Sequence, residues 1–525
     1  MFRCGLLVLS PACFRGRIPS LLELASREIK DVLYIDIYGS KNESLGRFYG
    51  FLADVYGVHS CGSLDVRVLQ PEQKQCETRK LSHVPEVAFL RDFSTDVGLD
   101  LQTLKRHVQR RFPTLEAERV KIIEPIIKER EEKHWPEPKT YAETVLGGTF
   151  DHIHAGHRLL LSVSCLLCTK RITVGLADGP LLSKKVLKEL MQTFDERKKI
   201  VEQFIEDISP DLHHNVVPIT DPIGPSGTDP ALECLIVSQE TIKGGDFVNA
   251  ARRERDLNDL DVHVLELVNE DVGDFVPGQE SGEVKMSSTM ERHKLLGTLL
   301  KPSKPWNTRS ANEHSRPYVI GLTGGIASGK SSICRRLEGL GAKTINCDLL
   351  GHKAYLPGTK AFDEIVKVFG QDVMSSDGTI NRKALGAIVF SDKSKLELLN
   401  NIVWPEIMRM VEDKILEYGD LGKKVCVIEA AVLLEAGWDR VMNEVWVSII
   451  PEDEAILRMT TRDGMSEKQA RQRLQAQMSN SERVNRANVV LSSLWVPDYT
   501  QKQVERAWNG LQERLNNNIG PQSAL

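Results

Sequence analysis

The run GLTGGIASGKSS carries G-x-x-x-x-G-K-S, with Gly324, Gly329, Lys330 and Ser331 at the motif's spacing. The apolar YVIGLT before it reads as a strand and ICRRLEGL after it as a helix, the setting this motif requires. There the backbone N–H groups of Gly324, Gly325, Ile326, Ala327, Ser328 and Gly329 turn toward phosphate oxygens. The helix that opens with Lys330, Ser331 and Ser332 adds its dipole. Lys330 reaches the β- and γ-phosphates, and the Ser331 hydroxyl is a ligand for Mg²⁺. The expected chemistry is phosphoryl transfer from ATP. Asp348, on the loop after the strand-like KTINCD, either takes a proton from the acceptor hydroxyl or caps a helix. Glu429, closing the buried run KKVCVIE, either assists Mg²⁺ or is a plain strand-end carboxylate. The arginine-rich TTRDGMSEKQARQRL reads as a phosphate-clamping lid or as a solvated helix.

A second constellation is GGTFDHIHAGHRLLL. Asp151, His152, His154 and His157 fall close together and invite a metal reading. The small Ala-Gly between His154 and His157, at a strand-to-helix junction, instead suits donors converging on an anion.

Elements must hold these groups in place, and the chain is long enough for several cores. At 525 residues, with 41% hydrophobic and 27% charged content, two to four soluble globular domains are expected. The net charge of −5 argues against a general nucleic-acid binder. Ten scattered cysteines suit a reducing compartment, and Cys165 and Cys168, though spaced C-x-x-C, read as two buried helix thiols. No run approaches the roughly 20 apolar residues that span a bilayer. The start, MFRCGLLVLSPACFRGRIPSLLELA, has three arginines and no acid before Glu23. Residues 1–30 are therefore either a mitochondrial targeting segment or an ordinary first strand and helix.

Block 1–139 shows apolar runs, then a charged helical stretch ending in KEREEKHWPEPK, and no catalytic constellation. Block 140–300 alternates strand-like and helical runs, the rhythm of β-α units on a parallel sheet. Residues 301–316 read as a polar, proline-flanked linker, and 317–525 as a second α/β domain. The fold class is α/β throughout, including an N-terminal α/β region; the resemblance of the histidine and glycine runs to known families implies a Rossmann-like nucleotidyltransferase domain, then a P-loop kinase domain.

The last block resembles the dephospho-coenzyme A kinases. IGLTGGIASGKS, CDLLGHKAYLPGT, INRKALGAIVF, VWPEI, AAVLLEAGWD and RDGMSEKQARQRLQAQM carry the likeness. The resemblance implies a three-layer nucleoside-kinase fold with a lid. It makes Asp348 the base for the ribose 3′-hydroxyl and Arg382 an acceptor contact, and it puts Arg462, Arg471 and Arg473 in the lid. Asn346 stands where many members have the first Asp of Asp-x-Asp, and Trp404 where many have His before Pro.

Block 140–300 resembles the H-x-G-H nucleotidyltransferases, nearest the eukaryotic type of phosphopantetheine adenylyltransferase. Four motifs occur in family order: GGTFDHIHAGH, VGLADGPLLSKKVLKELMQTFDERKKIVEQFI, DPIGPSGTDPALECLIVSQETIKGG and KMSSTMER. The resemblance implies nucleotide contacts at Gly148, Thr149 and Phe150, and charge stabilisation by His154 and His157. Lys184 or Lys185 and Arg292 would neutralise phosphate oxygens, with donors from Ser287, Ser288 and Thr289. The attacking phosphate is already ionised, so no general base is needed.

Together the blocks resemble the bifunctional coenzyme A synthases of animals. The implied ligands are ATP with Mg²⁺, 4′-phosphopantetheine and dephospho-CoA, with no nucleic acid. A location at mitochondria, including their outer membrane, or in the cytoplasm is expected. Two rival classes stay open: the same folds acting on other substrates, and a nucleotide-binding scaffold without turnover.

Overall fold

The computed structural model describes the chain apart from residues 11–17, 40–42, 58–63, 72–77, 92–98, 124–134, 266–268, 271–283, 286, 307–315 and 520–525. It forms two compact units, Met1–Arg292 and His293–Leu525.

The first unit opens with β1 (Phe2–Leu9), α1 (Ile18–Ser26), β2 (Ile29–Ile37), α2 (Leu45–Tyr56), β3 (Asp65–Val68), β4 (Val87–Leu90), α3 (Leu101–Arg111) and β5 (Val120–Ile122). The strands pair in parallel in the order β3-β2-β1-β4-β5. The chain continues with β6 (Tyr141–Gly148), α4 (Ala155–Leu167), β7 (Cys168–Ala177), α5 (Phe194–Ile208), β8 (His213–Ile219), β9 (Cys234–Ser238), α6 (Ile242–Arg253) and β10 (Asp261–Leu265). These strands are also parallel, in the order β10-β9-β6-β7-β8. In both sheets the first strand is central, the second and third lie on one side, and the fourth and fifth on the other. The N-terminal region therefore repeats the topology of the histidine-bearing sheet. A short antiparallel pair, β11 (Asn269–Glu270) and β12 (Val284–Lys285), precedes α7 (Ser288–Leu295).

Local sequence explains the helix ends. Thr193 and Glu196 form a reciprocal capping box at the start of α5, each satisfying the other's backbone N–H. Phe48, Phe51 and Val55 of α2 and Leu159, Val163 and Leu167 of α4 belong to one buried core shared by both sheets. The line at 139/140 thus divides two sheets that share a core. Residues 293–300 cluster with the second unit. The KEREEK stretch and most of the expected linker lie outside the described residues.

The second unit contains β13 (Tyr318–Gly324), α8 (Lys330–Gly339), β14 (Lys343–Asn346), α9 (Cys347–Ala354), α10 (Lys360–Phe369), α11 (Arg382–Phe390), α12 (Lys393–Asp420) and β15 (Val425–Glu429). It ends with β16 (Glu444–Ile449), α13 (Glu452–Asp463), α14 (Glu467–Gln475), α15 (Asn480–Val484), β17 (Val489–Ser492) and α16 (Pro497–Ile519). Its parallel sheet runs β14-β15-β13-β16-β17. Strands β13, β15 and β16 are buried along their whole length, as expected for a sheet covered on both faces.

Two expectations need correction. Cys165 is a buried helix thiol, but Cys168 is the first residue of β7. Asp348 is not on a loop: α9 begins at Cys347, which puts Asp348 in its first turn. Among the described residues no helix is long and apolar enough to cross a membrane.

Candidate active sites

In the second unit, β13 ends at Gly324 and α8 starts at Lys330, so the glycine loop is the turn between them. Gly324 has φ +153°, and a Cβ there would lie 2.3 Å from the Ser448 carbonyl oxygen. Gly329 has φ +88° and would press a Cβ to 2.6 Å from Ser493 Oγ. Both positions require glycine, for backbone angle and for space. Ser448 Oγ and Ser493 Oγ both donate to the Ser328 carbonyl, at 2.5 and 2.9 Å, which holds the loop from behind. Ile326 N–H donates to Gln477 Oε1 at 3.0 Å. Lys330 Nζ reaches back over the loop to the carbonyls of Gly324 and Gly325, 3.0 Å each. Burial lowers the Lys330 pKa, with Glu429 and Asp348 opposing.

Ser331 Oγ donates to Glu429 Oε1 at 2.7 Å, and Asn346 Nδ2 donates to Glu429 Oε2 at 3.0 Å. Glu429 is only 7% exposed. A hydroxyl and a carboxylate at this spacing are the hard oxygen donors that suit Mg²⁺. Asn346 also caps α9, accepting from Leu349 N–H at 3.0 Å, so the capping role considered for Asp348 belongs to Asn346. Asp348 itself is an exposed carboxylate. Arg382 lies against the far end of the same helix, donating to the His352 carbonyl at 3.3 Å, 5.7 Å from the Tyr355 ring centroid. Trp404 packs edge-on to Trp438 at 6.5 Å. The expected lid arginines are exposed: Arg462 pairs with Asp463 and Arg471 with Glu467, while Arg473 is also exposed.

In the first unit the histidine turn occupies the corresponding place, between β6 and α4. Phe150 and His152 are held at φ +47° and +46°, a costly conformation for side chains other than glycine. Asp151, 0% exposed, pins the turn: Oδ1 accepts from Gln192 N–H at 2.9 Å and Oδ2 pairs with Arg292 Nη1 at 2.5 Å. Arg197 donates to the Thr149 carbonyl at 2.7 Å and the Ala177 carbonyl at 3.0 Å. A Cβ on Gly148 would meet the buried Phe150 ring at 2.8 Å. His154 stands at the N-cap of α4, and its ring centroid is 3.9 Å from that of His157. Burial, then the charges of His154 and Arg158, hold His157 well below 6.5. It is a neutral ring at neutral pH. Its buried Nδ1 has no hydrogen-bond partner among the described residues.

Arg292 draws three of the four motifs together. Beyond Asp151 it donates to the Val186 carbonyl at 2.8 Å and to Thr289 Oγ1 at 3.1 Å. At 1% exposure it is a buried clamp. Lys184 and Lys185, on the segment it holds, are exposed. Ser287, Ser288 and Thr289 are half-buried at the start of α7, where Ser287 Oγ accepts from Met290 N–H at 3.4 Å. The third motif, through Ile236 and its neighbours, lines an apolar cavity of about 320 Å³ with Gly147, Gly175 and Ile219.

Residues 318–494 match the family model "Dephospho-CoA kinase". The dephospho-CoA kinase of Geobacter sulfurreducens is 42% identical over 190 residues, which are 36% of this chain and 96% of that protein. The chain belongs to the dephospho-CoA kinase family. That of Symbiobacterium thermophilum is 39% identical over 190 residues, covering 36% of this chain and 80% of its own. Residues 145–311 match a second family model, "Cytidylyltransferase-like". There the phosphopantetheine adenylyltransferase of Saccharomyces cerevisiae is 40% identical over 160 residues, 30% of this chain and half of the yeast protein.

Within the dephospho-CoA kinase half, two arginines escaped the sequence reading. Arg483, 2% exposed, puts Nη1 3.4 Å from where a Cβ on Gly325 would stand. Arg458 braces the loop from the other side, donating to the Ala327 carbonyl at 3.2 Å and to Ser493 Oγ at 2.8 Å. Among many arginines in charged helices, no local spacing singles these two out.

Proposed function

We propose that the chain performs the last two steps of coenzyme A biosynthesis, a bifunctional transferase with one reaction in each unit. The observation that carries this is the pair of phosphate-handling turns, one rich in glycine and one in histidine, each at the end of a central parallel strand.

In the first unit a phosphate oxygen of 4′-phosphopantetheine attacks the α-phosphorus of ATP. The bond to the β-phosphate bridging oxygen breaks, and pyrophosphate leaves with its electron pair. Dephospho-CoA is formed. Neutral His157 donates a hydrogen bond to the developing charge, with His154 beside it. Exposed Lys184 and Lys185 meet the departing pyrophosphate. Arg292 acts indirectly, by fixing Asp151 and the Val186 carbonyl. The apolar cavity beside Gly147 takes the uncharged pantetheine arm.

In the second unit the ribose 3′-oxygen of dephospho-CoA attacks the γ-phosphorus of a second ATP, and ADP leaves. Asp348 takes the hydroxyl proton. The loop N–H groups and Lys330 hold the phosphates, and buried Arg483 adds positive charge beside Gly325. Ser331 and Glu429 would hold Mg²⁺, which neutralises phosphate charge when bound. Exposed Arg382 meets the acceptor, and Arg462 and Arg471 close over the nucleotide after exchanging their present carboxylate partners. A mitochondrial association, with a cytoplasmic pool as the alternative, rests on the arginine-bearing start; a reporter fused to residues 1–30 that stays diffuse would overturn it.

Mass-spectrometric analysis after incubation with 4′-phosphopantetheine, ATP and Mg²⁺ tests the whole reading. Dephospho-CoA should appear and then be converted to coenzyme A. Neither product forming from folded protein would refute it.

A further inference from the structure

The N-terminal sheet carries no phosphate-handling turn among its described residues, yet a chain of alternating charges runs from it into the histidine site. Asp65 opens β3. Its Oδ1 lies 2.9 Å from Nε of Arg158, the residue next to His157. Arg158 Nη2 donates at 3.2 Å to the carbonyl of Ile153, the residue before His154. Its Nη1 donates at 3.3 Å to the Leu64 carbonyl. One guanidinium thus links the backbone entering the histidine pair to the N-terminal sheet. On its other side Asp65 accepts from Arg67 Nη2 at 2.7 Å, and Arg67 Nη1 reaches Asp207, near the end of α5, at 2.5 Å. Asp207 also accepts from Tyr34 Oη and Ser82 Oγ, both at 2.6 Å. The network therefore grips both helices that follow the first two strands of the histidine-bearing sheet. Burial works to raise the Asp65 pKa, but Arg158 and Arg67 outweigh it and hold it below the usual carboxylate range.

We propose that Asp65 is a positioning residue for adenylyl transfer, fixing through Arg158 the turn that carries His154 and His157. The inference rests on the assignment of adenylyl transfer to that turn. It gives residues 1–139 a role, that of bracing the first active site. A half-buried pair broken on one side leaves the other charge poorly compensated, so Arg158 would leave its present position when Asp65 loses its charge. A displacement of about 1 Å at a catalytic group costs up to about 100-fold in rate.

The test uses the full chain with Asp65→Asn, Arg158→Gln and the double variant, and His157→Ala as reference. Each is assayed for pyrophosphate release and, separately, for phosphorylation of supplied dephospho-CoA. Asp65→Asn should lower kcat for pyrophosphate release about 10- to 100-fold. Its KM for ATP should stay within about twofold, because the phosphate-contacting groups are retained. Kinase turnover should be unchanged. Arg158→Gln should match it, and the double variant should be no slower than either single one, since both act through one contact. Asp65→Glu, which restores the charge, should recover most of the lost rate. Unchanged kcat in Asp65→Asn, with His157→Ala inactive, would overturn the proposal alone. So would a fall confined to thermal stability, or losses that multiply in the double variant. Adenylyl transfer intact in His157→Ala would overturn the assignment beneath it.

Discussion

Two turns in this chain occupy the same topological place. Each leaves the central strand of a five-stranded parallel sheet and enters a helix, one between β6 and α4, the other between β13 and α8. On the proposed reading they would handle phosphate by opposite means. At the glycine turn the backbone would be the ligand, and side chains at Gly324 and Gly329 would collide with Ser448 and Ser493. At the histidine turn, in the proposed reaction, the side chains would be the ligand. The backbone there is strained at Phe150 and His152 to present them, and Asp151, Arg292 and Arg197 hold the strain in place. One site needs the absence of side chains; the other needs a buried scaffold of them.

The comparison can be broken most sharply by removing one group from each site. Lys330→Met should cut phosphorylation of dephospho-CoA roughly 100- to 1,000-fold and let dephospho-CoA accumulate, with pyrophosphate release unchanged. His157→Ala should do the reverse. Assaying both products for both variants decides it, because the groups belong to different units; joint loss in either variant would end the picture of two independent sites.

Asp348→Asn comes next. Losing the proton acceptor should lower kinase turnover by about 100-fold with ATP affinity nearly intact, read by single-turnover rates and nucleotide titration. Weakened ATP binding in step with turnover would make Asp348 a structural or metal-linked group.

Gly324→Ala then probes the backbone as ligand. Strain at this φ and the contact with Ser448 should cost about 1–3 kcal/mol in the stability of the second unit and most of the kinase rate. Gly147→Ala is the counterpart at the histidine site. Its Cβ would meet nothing closer than Ile219 at 3.7 Å, so adenylyl transfer should keep its kcat, with KM for 4′-phosphopantetheine rising a little.

The smallest effect is electrostatic. His157 is held well below 6.5 by burial, then by His154 and Arg158. Below about 6.5 the unfolded chain takes up a proton that the folded chain refuses. Its contribution to stability is therefore present above that pH and lost on acidification. Urea midpoints of the first unit should fall from pH 7.5 to pH 5.5, and fall less in His157→Gln.

What could be read from sequence divides along the same line. A backbone site is written in consecutive residues, so the glycine loop, its strand and its helix were legible outright. The histidine turn was legible as a cluster, and the order of its four motifs named the fold. The supports were not. Arg292 reads as a phosphate-neutralising charge in KMSSTMER, with no sign of its pairing with Asp151, and Arg158 is an ordinary helix arginine until β3 brings Asp65 to it. Such pairings come from strand order and leave no period in the chain. The runs LLVL, VLYIDIYG and LDVRVL each gave a strand, but nothing in them announced a second sheet with the topology of the first site.

One consequence concerns the proposed targeting role of the first residues. Strand β1 pairs with both β2 and β4, and Leu6, Leu7, Val8 and Leu9 are at most 1% exposed. A peptidase that trimmed residues 1–30 after import would take away the middle of that sheet and all of α1. Burial of each leucine is worth about 2 kcal/mol, so the remaining strands would have little to close around. Were residues 1–30 the proposed address, it would have to be read on the unfolded chain and then left in place as part of the fold.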